Sequence, residues 1–437
     1  MPQWKISMEQ INHKVLKELD EKFGAPFYIM DPEKYRSNIN GFLSAFKKRY
    51  EKVVAGYSFK TNYVPALCQI ARQEGVWAEV VSEMEYELAR KIGFEKVIFN
   101  GPIKRPAIFK KALESGAVIN LDSEYEVDMI CQYKLEHPEK ELKVGMRINI
   151  NLTDENGNST IQCRLRFGRF GFPSEILGRN IERLREAGVK IISLHGHTST
   201  SDRAVLNYKI ITQHMLATCE KYELNDLELF DIGGGYFGAA PEGMDLTGRP
   251  KYEDYANCVL DEALASEWFV KQQPTIVIEP GSSVVSNVFT YYTKVYQNKR
   301  VGKVNFVMVD GTVFDVKPTM HSNNLPHRVY RAKDEVKVDR LKVEGDSLEV
   351  KAEEADTYNC DVVGSTCMEK DVMLKEVTMP RMEAGDFIQF NGVGAYTICL
   401  TPTFINFLEP ILMPEDGEWV EARRRQTVED IIGVYKV

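Results

Sequence analysis

The chain has 437 residues, 43% of them hydrophobic and 27% charged, which is ordinary for a soluble globular protein long enough for two domains. Its formal net charge of −9 argues against nucleic acid as a partner. No apolar run approaches a membrane span, and the first residues show no basic-then-apolar signal. The eight cysteines are scattered without a C-x-x-C pair, which fits reduced thiols in the cytoplasm rather than a disulfide framework or a metal site.

Residues 1–35 predict a helix and then a short strand in PFYIMD. A regular alternation follows. Short apolar strands are predicted at Val53–Tyr57, Trp77–Val81, Lys96–Phe99, Val118–Leu121, Lys143–Ile148, Ile191–His195, Leu227–Ile232 and Thr275–Glu279. Amphipathic helices are predicted between most of them, at Val64–Gln73, Glu83–Ile92, Pro106–Ser115, Glu124–Leu135, Pro173–Ala187 and Ala204–Tyr222. Buried strands alternating with helices imply a parallel sheet, and eight such units predict a closed (β/α)8 barrel of the TIM type over residues 36–280. From about residue 284 the pattern becomes strand-rich: VVSNVFTYYTKVYQNK, VNFVMVD, DSLEVKAEEA, NCDVVGST and DFIQFNGVGAY. This predicts an antiparallel β-domain built from residues 1–35 and 281–437. Asn151–Thr160 and Ala239–Pro250 read as loops.

Barrels of this kind place their chemistry at the C-terminal ends of the strands. The residues there are Lys60, Ser82, Asn100 and Gly101, Asp122, Asn149, His195 and His197, Gly233–Gly235, and Glu279. A lysine at a strand mouth, if desolvated, becomes a nucleophilic amine able to form a Schiff base. Gly233, Gly234 and Gly235 follow the seventh strand, where backbone N–H groups can cradle a phosphate. Glu279 could pair with a protonated ring nitrogen, and His197 could stack on a flat ring or act as acid or base. An amine, an anion cradle, a carboxylate and an imidazole are the parts that hold pyridoxal 5'-phosphate.

In these motifs, taken in order over nearly the whole chain, the sequence resembles the fold-type III pyridoxal-phosphate decarboxylases, the group of diaminopimelate and ornithine decarboxylases. YSFKTN is similar to that family's cofactor-lysine segment, so Lys60 would carry the Schiff base. VVSEMEYELARKIGF, FNGPIK and HGHTST match further segments, the last placing His197 on the ring face. The resemblance assigns Thr200, Gly233–Gly235, Glu279, Gly281 and Tyr396 to cofactor binding, Tyr396 through NGVGAYT. GSTCMEKD looks like the segment of the family's catalytic cysteine, here Cys367. It implies a homodimer with shared active sites, in which Cys367 of one subunit serves the other. Cys367 is then the candidate for reprotonating the substrate carbon, with Lys60 as the competing donor. The alternatives on the same fold are an amino-acid racemase and a non-catalytic regulator.

The departures from the family concern the substrate. Ser282 stands where the family has an arginine after E-P-G, and Lys317 replaces the arginine expected before proline. Met368 follows the cysteine where an acidic residue is usual, with Glu369 one place later, and His321-Ser322 replaces a tyrosine–aspartate pair. A planar, bidentate grip on a carboxylate is thereby weakened, and a methionine cannot offset a buried distal ammonium. The expectation is a small-molecule amino-acid substrate that is neither plain diaminopimelate nor ornithine. Larger or modified amino acids fit better, such as the conjugates decarboxylated in carboxylate-siderophore assembly.

Overall fold

The structure, a computed structural model, describes residues 11–154, 156–334 and 357–436. The described chain divides into two compact units. One is Tyr35–Ala239 with Leu246–Val285; the other collects the described residues of 1–34, 240–245 and 286–437. Thus the loop stretch Ala240–Asp245 belongs with the second unit, although it leaves and re-enters the first. No helix among the described residues is long and apolar enough to cross a membrane.

Strands are numbered in chain order, beginning with β1 (Phe27–Met30). The first unit is a closed barrel of β2 (Val53–Ser58), β3 (Trp77–Val80), β4 (Val97–Phe99), β5 (Val118–Leu121), β6 (Leu142–Arg147), β7 (Val189–His195), β8 (Leu229–Asp231) and β9 (Thr275–Ile278). Each strand pairs in parallel with the next, and β9 closes on β2 through Val53 opposite Ile276. The strands read as apolar runs because the crossover helices cover their outer face while side chains fill the interior. The helices fall where periodicity puts them, within one residue at each end; Glu83–Ile92 is typical. Ser82 caps it by accepting from the Glu85 N–H at 3.2 Å, Glu85 reaches back to the Val81 N–H at 2.7 Å, and Gly93 closes it at φ +98.

The barrel interior is unusually polar at one level. Asn120 of β5 lies beside Gly145 of β6, and a Cβ at 145 would stand 1.8 Å from the Asn120 side-chain oxygen. Gly145 therefore makes room for an amide inside the barrel. Farther out, Lys104 and Glu126 are both fully buried and pair at 3.0 Å. The Lys104 ammonium also donates to the carbonyls of Gly101 (2.8 Å) and Asn120 (3.0 Å), and Glu126 accepts from the Asp122 N–H at 2.6 Å. This pair ties the loops after β4 and β5 together.

The second unit is a nine-stranded sheet among the described residues. Besides β1 it holds β10 (Phe289–Val301), β11 (Val304–Val309), β12 (His327–Tyr330), β13 (Thr357–Val363), β14 (Val372–Pro380), β15 (Phe387–Asn391), β16 (Ile411–Glu415) and β17 (Glu418–Arg423). Pairing is mostly antiparallel, with parallel contacts at β1–β16 and β11–β13. Phe27, Ile29, Tyr292, Tyr330, Phe387 and Leu412 form its core, and the helix His13–Phe23 adds Leu16 and Leu19. The strand expected from residue 284 starts only at Phe289, because Ser282–Val285 forms a helical turn. The strand expected in DSLEVKAEEA lies outside the described residues.

Removing one partner of the Lys104–Glu126 pair leaves a buried, unpaired charge. Lys104→Met should cost about 3–5 kcal/mol in chemical denaturation, and Lys104→Met with Glu126→Leu markedly less. Equal losses in the single and double variants would refute the pairing argument.

Candidate active site

The segment after β2 turns sharply and presents Lys60. Phe59–Thr61 is a single 3-10 turn. The Tyr57 hydroxyl donates to the Asn62 carbonyl at 2.7 Å, and the Asn62 side chain accepts from the Val64 N–H at 3.0 Å. Both ends of YSFKTN thus close the turn that aims the lysine. Lys60 Nζ donates to Ser58 Oγ at 2.6 Å and to Glu79 Oε2 at 2.7 Å, and the Ser58 hydroxyl donates to the same carboxylate. The expectation of a desolvated lysine is corrected here: the side chain is 35% exposed and has Glu79 as counter-ion.

Glu79, on β3, begins a buried polar network. Asn100 Nδ2 donates to Glu79 Oε1 at 3.0 Å and to Glu279 Oε1 at 2.6 Å, while Asn100 Oδ1 accepts from Asn120 at 2.8 Å. One amide therefore spans the carboxylate beside the lysine and the carboxylate after β9. His195 Nε2 lies 3.3 Å from Glu279 Oε2, at ion-pair distance but off the line of a hydrogen bond. Burial pushes the Glu279 carboxyl upward, but His195 first, then Lys60 and His197, outweigh it and hold it well below the usual carboxylate range. Burial, reinforced by the Glu279 charge, pushes the neighbouring Asp231 well above that range.

The glycine triplet folds back over β9. Gly233 and Gly235 have φ of +69 and +94, and a Cβ at Gly234 would stand 2.3 Å from the Glu279 carbonyl oxygen. Only glycine permits that conformation and approach together. The Gly233 N–H donates to Asp231 Oδ1 at 3.0 Å, and the Tyr208 hydroxyl donates to the Gly234 carbonyl at 2.8 Å. Tyr208 stacks on Tyr236 at 4.4 Å, giving the turn an aromatic footing. His197 Nδ1 accepts from the Gly234 N–H at 3.1 Å, and its ring lies parallel to that of His195 at 6.1 Å. Burial, then the Arg147 guanidinium, holds the His197 pKa well below 6.5.

The barrel unit therefore brings together Lys60, His197, Gly233–Gly235 and Glu279. Gly281 packs on Thr61, and Ser282 opens the next helical turn. Thr200 is buried and accepts from Asn207 Nδ2 at 3.2 Å and the Arg203 N–H at 3.3 Å. Sequence reasoning missed Glu79 and Arg147 and gave Asn100 and Asp231 no role. The signal for Glu79 was a carboxylate in the middle of the apolar run WAEV. Arg147 closes β6, donates to the His197 carbonyl at 3.0 Å and lies 3.5 Å from Asp122. It went unseen because the strand was predicted to run on to Ile148.

The remaining candidates belong to the β-sheet unit. Cys367 is exposed in a turn shaped by buried Asp371, whose carboxylate accepts from the N–H groups of Thr366 (2.9 Å) and Val313 (2.7 Å). Met368 is half-buried in that turn and Glu369 exposed. Tyr396 is 43% exposed at φ +53. Lys317 is 4% exposed, and no carboxylate or carbonyl among the described residues accepts from its ammonium. Burial lowers its pKa, and at His321 partial desolvation, then the Lys317 charge, lowers the imidazole pKa as well.

A family model described as the pyridoxal binding domain of pyridoxal-dependent decarboxylases matches residues 36–286. The diaminopimelate decarboxylase of Archaeoglobus fulgidus is 28% identical over 395 residues, covering 89% of this chain and 87% of that protein. The L-glutamyl-[BtrI acyl-carrier protein] decarboxylase of Niallia circulans is 26% identical over 435 residues, covering 95% and 94%. The crystal structure of diaminopimelate decarboxylase from Helicobacter pylori complexed with L-lysine superposes with a TM-score of 0.78 at 24% identity, over 96% of this chain and 98% of that one.

The depressed His197 pKa carries a pH signature. Below 6.5 the unfolded chain binds a proton that the folded one refuses, so stability rises with pH there, by up to about 1.4 kcal/mol per pH unit. Denaturation of the protein across that window should show this slope, shallower in His197→Gln. Equal slopes in both proteins would contradict the buried neutral ring.

Proposed function

The chain belongs to the pyridoxal-dependent decarboxylase family, and we propose that it decarboxylates an amino acid, or amino-acid conjugate, that bears a further carboxylate and is neither plain diaminopimelate nor ornithine. It is a pyridoxal-phosphate-dependent carboxy-lyase acting on an amino acid. The barrel residues fit that cofactor. Lys60 offers a reachable amine, the Gly233–Gly235 turn offers a side-chain-free backbone that an anion can approach, with the Gly233 and Gly234 N–H groups engaged by Asp231 and His197, His197 offers a neutral flat ring, and Glu279 offers an ionised carboxylate.

Pyridoxal phosphate, when bound, supplies an electron-withdrawing ring that accepts the electron pair left as the α-carboxylate departs. The chain's residues orient and protonate. Glu79 and Ser58 hold Lys60 Nζ in one place. Glu279, kept charged by Asn100 and His195, would accept from the proton on the ring nitrogen. Thr200, Gly281 and Tyr396 complete the cofactor set in this reading. Cys367, whose thiol is exposed, would deliver its Sγ proton to the substrate carbon across a homodimer, with Lys60 Nζ as the competing donor.

The single observation behind the substrate class is Lys317. A buried ammonium that meets no counter-ion among the described residues is costly, and a substrate carboxylate would relieve it. Met368 itself, at the position after the cysteine, offers no match for a distal ammonium, and Ser282, His321 and Glu369 are the other substrate-side residues in this reading. That a relative is named for a carrier-bound glutamyl group supports a conjugate, a class that includes carboxylate-siderophore intermediates.

A panel of free and conjugated amino acids, assayed by carbon dioxide release, tests this. Substrates with an additional carboxylate and no distal ammonium should turn over best, and Lys317→Met should raise their KM by about 10- to 100-fold, the worth of one charged hydrogen bond. Strong turnover of meso-diaminopimelate by the wild type would refute the reading of Met368.

If active sites are shared, Lys60→Ala and Cys367→Ala, each inactive alone, should on mixing regain up to about a quarter of wild-type activity, because half the dimers are hybrids with one intact site. No recovery after verified subunit exchange would place Cys367 outside the partner's site.

A further inference from the structure

Two buried carboxyls share one end of the barrel. Asp231 ends β8 and is 1% exposed; Glu279 follows β9 and is 3% exposed. Their oxygens, with a ring nitrogen of His195, all lie within 4.8 Å of one another. Two carboxylates this close in a buried site do not both ionise; they hold a proton between them. The donors around them decide where it resides. Glu279 accepts from Asn100 Nδ2 at 2.6 Å and has His195 Nε2 3.3 Å away. Among the described residues the Asp231 carboxyl accepts only the Gly233 N–H, at Oδ1, and its buried Oδ2 meets no donor. The charge is thus better solvated at Glu279.

We infer that Asp231 is a neutral carboxylic acid that donates its Oδ2 proton to Glu279 and so ties the glycine turn to the carboxylate serving the cofactor ring. Oδ1 fixes the Gly233 N–H, and the acid proton steers Glu279. Asp231 is a positioning residue and touches no reacting atom. The other charged or titratable groups facing this pair are His195, His197, Glu79, Lys60, Arg147 and the buried Tyr236. Burial raises the Asp231 pKa in the same sense. The inference rests on Glu279 acting at the ring nitrogen, but the proton assignment can be read without cofactor.

Infrared difference spectra of the full-length protein, wild type minus Asp231→Asn at neutral pH, should contain a protonated-carboxyl C=O band. Carbon-13 at the aspartate side-chain carboxyl should shift it, and the same label on glutamate should not. A shift with labelled glutamate, or no band, overturns the inference. Asparagine can accept from Gly233 and donate to Glu279 as the neutral acid does. Cofactor dissociation from Asp231→Asn should therefore stay within about threefold of wild type, while Asp231→Ala accelerates it about tenfold, one lost hydrogen bond. Equal acceleration in both variants would require an ionised Asp231 and also overturns the inference. Wild-type protein that takes up no pyridoxal phosphate would instead overturn the role of Glu279 at the ring and leave the infrared result standing.

Discussion

A charged carboxylate inside a barrel is the constraint on which the rest of this molecule depends. Glu279 is almost wholly shielded from water, and burying an ion uncompensated costs several kcal/mol. The compensation comes from different strands: Asn100 after β4 and His195 at the end of β7. Asn100 is itself oriented by Asn120, which fits only because Gly145 has no side chain. A backbone choice on β6 thus sets the angle of an amide that serves a carboxylate on the far side of the barrel.

The same amide reaches Glu79, so the counter-ion of Lys60 and the carboxylate after β9 share a donor. A change of charge at either end is felt at the other through a hydrogen bond in a medium of low polarity. The glycine turn belongs to this network. It is fixed from below by Asp231 and Tyr208, and from the side by the neutral ring of His197. The barrel mouth is therefore a single polar assembly in which the amine, the glycine turn and the carboxylate are held in register, the kind of pre-organisation on which electrostatic catalysis relies.

The β-sheet unit shows a different economy. Its candidate residues sit in turns rather than on strands. The turn bearing Cys367 is held by backbone N–H groups converging on Asp371, which leaves the thiol exposed while the loop beneath it is fixed. Lys317 is the opposite case, a buried cation with nothing opposite it among the described residues. Where family relatives carry an arginine, a single ammonium gives a point charge without the planar fork, so it can recognise a carboxylate but not dictate its plane.

The barrel is legible in the chain alone, because strand-length apolar runs alternating with amphipathic helices have one economical solution, and the observed ends differ from the expected ones by only a residue or two. Lys60, His197, Gly233–Gly235 and Glu279 also stand out there as strand-end candidates, because polar groups at strand ends are visible once the strands are, and the folded barrel brings them to one end. Which groups these candidates pair with emerges in three dimensions. Glu79, Asn100, Arg147 and Asp231 lie on four different strands or strand ends, and their partnerships are contacts across the barrel that no local periodicity encodes. The lysine read from the chain as desolvated proved to be paired for the same reason: its counter-ion is one strand over, a neighbour in space alone.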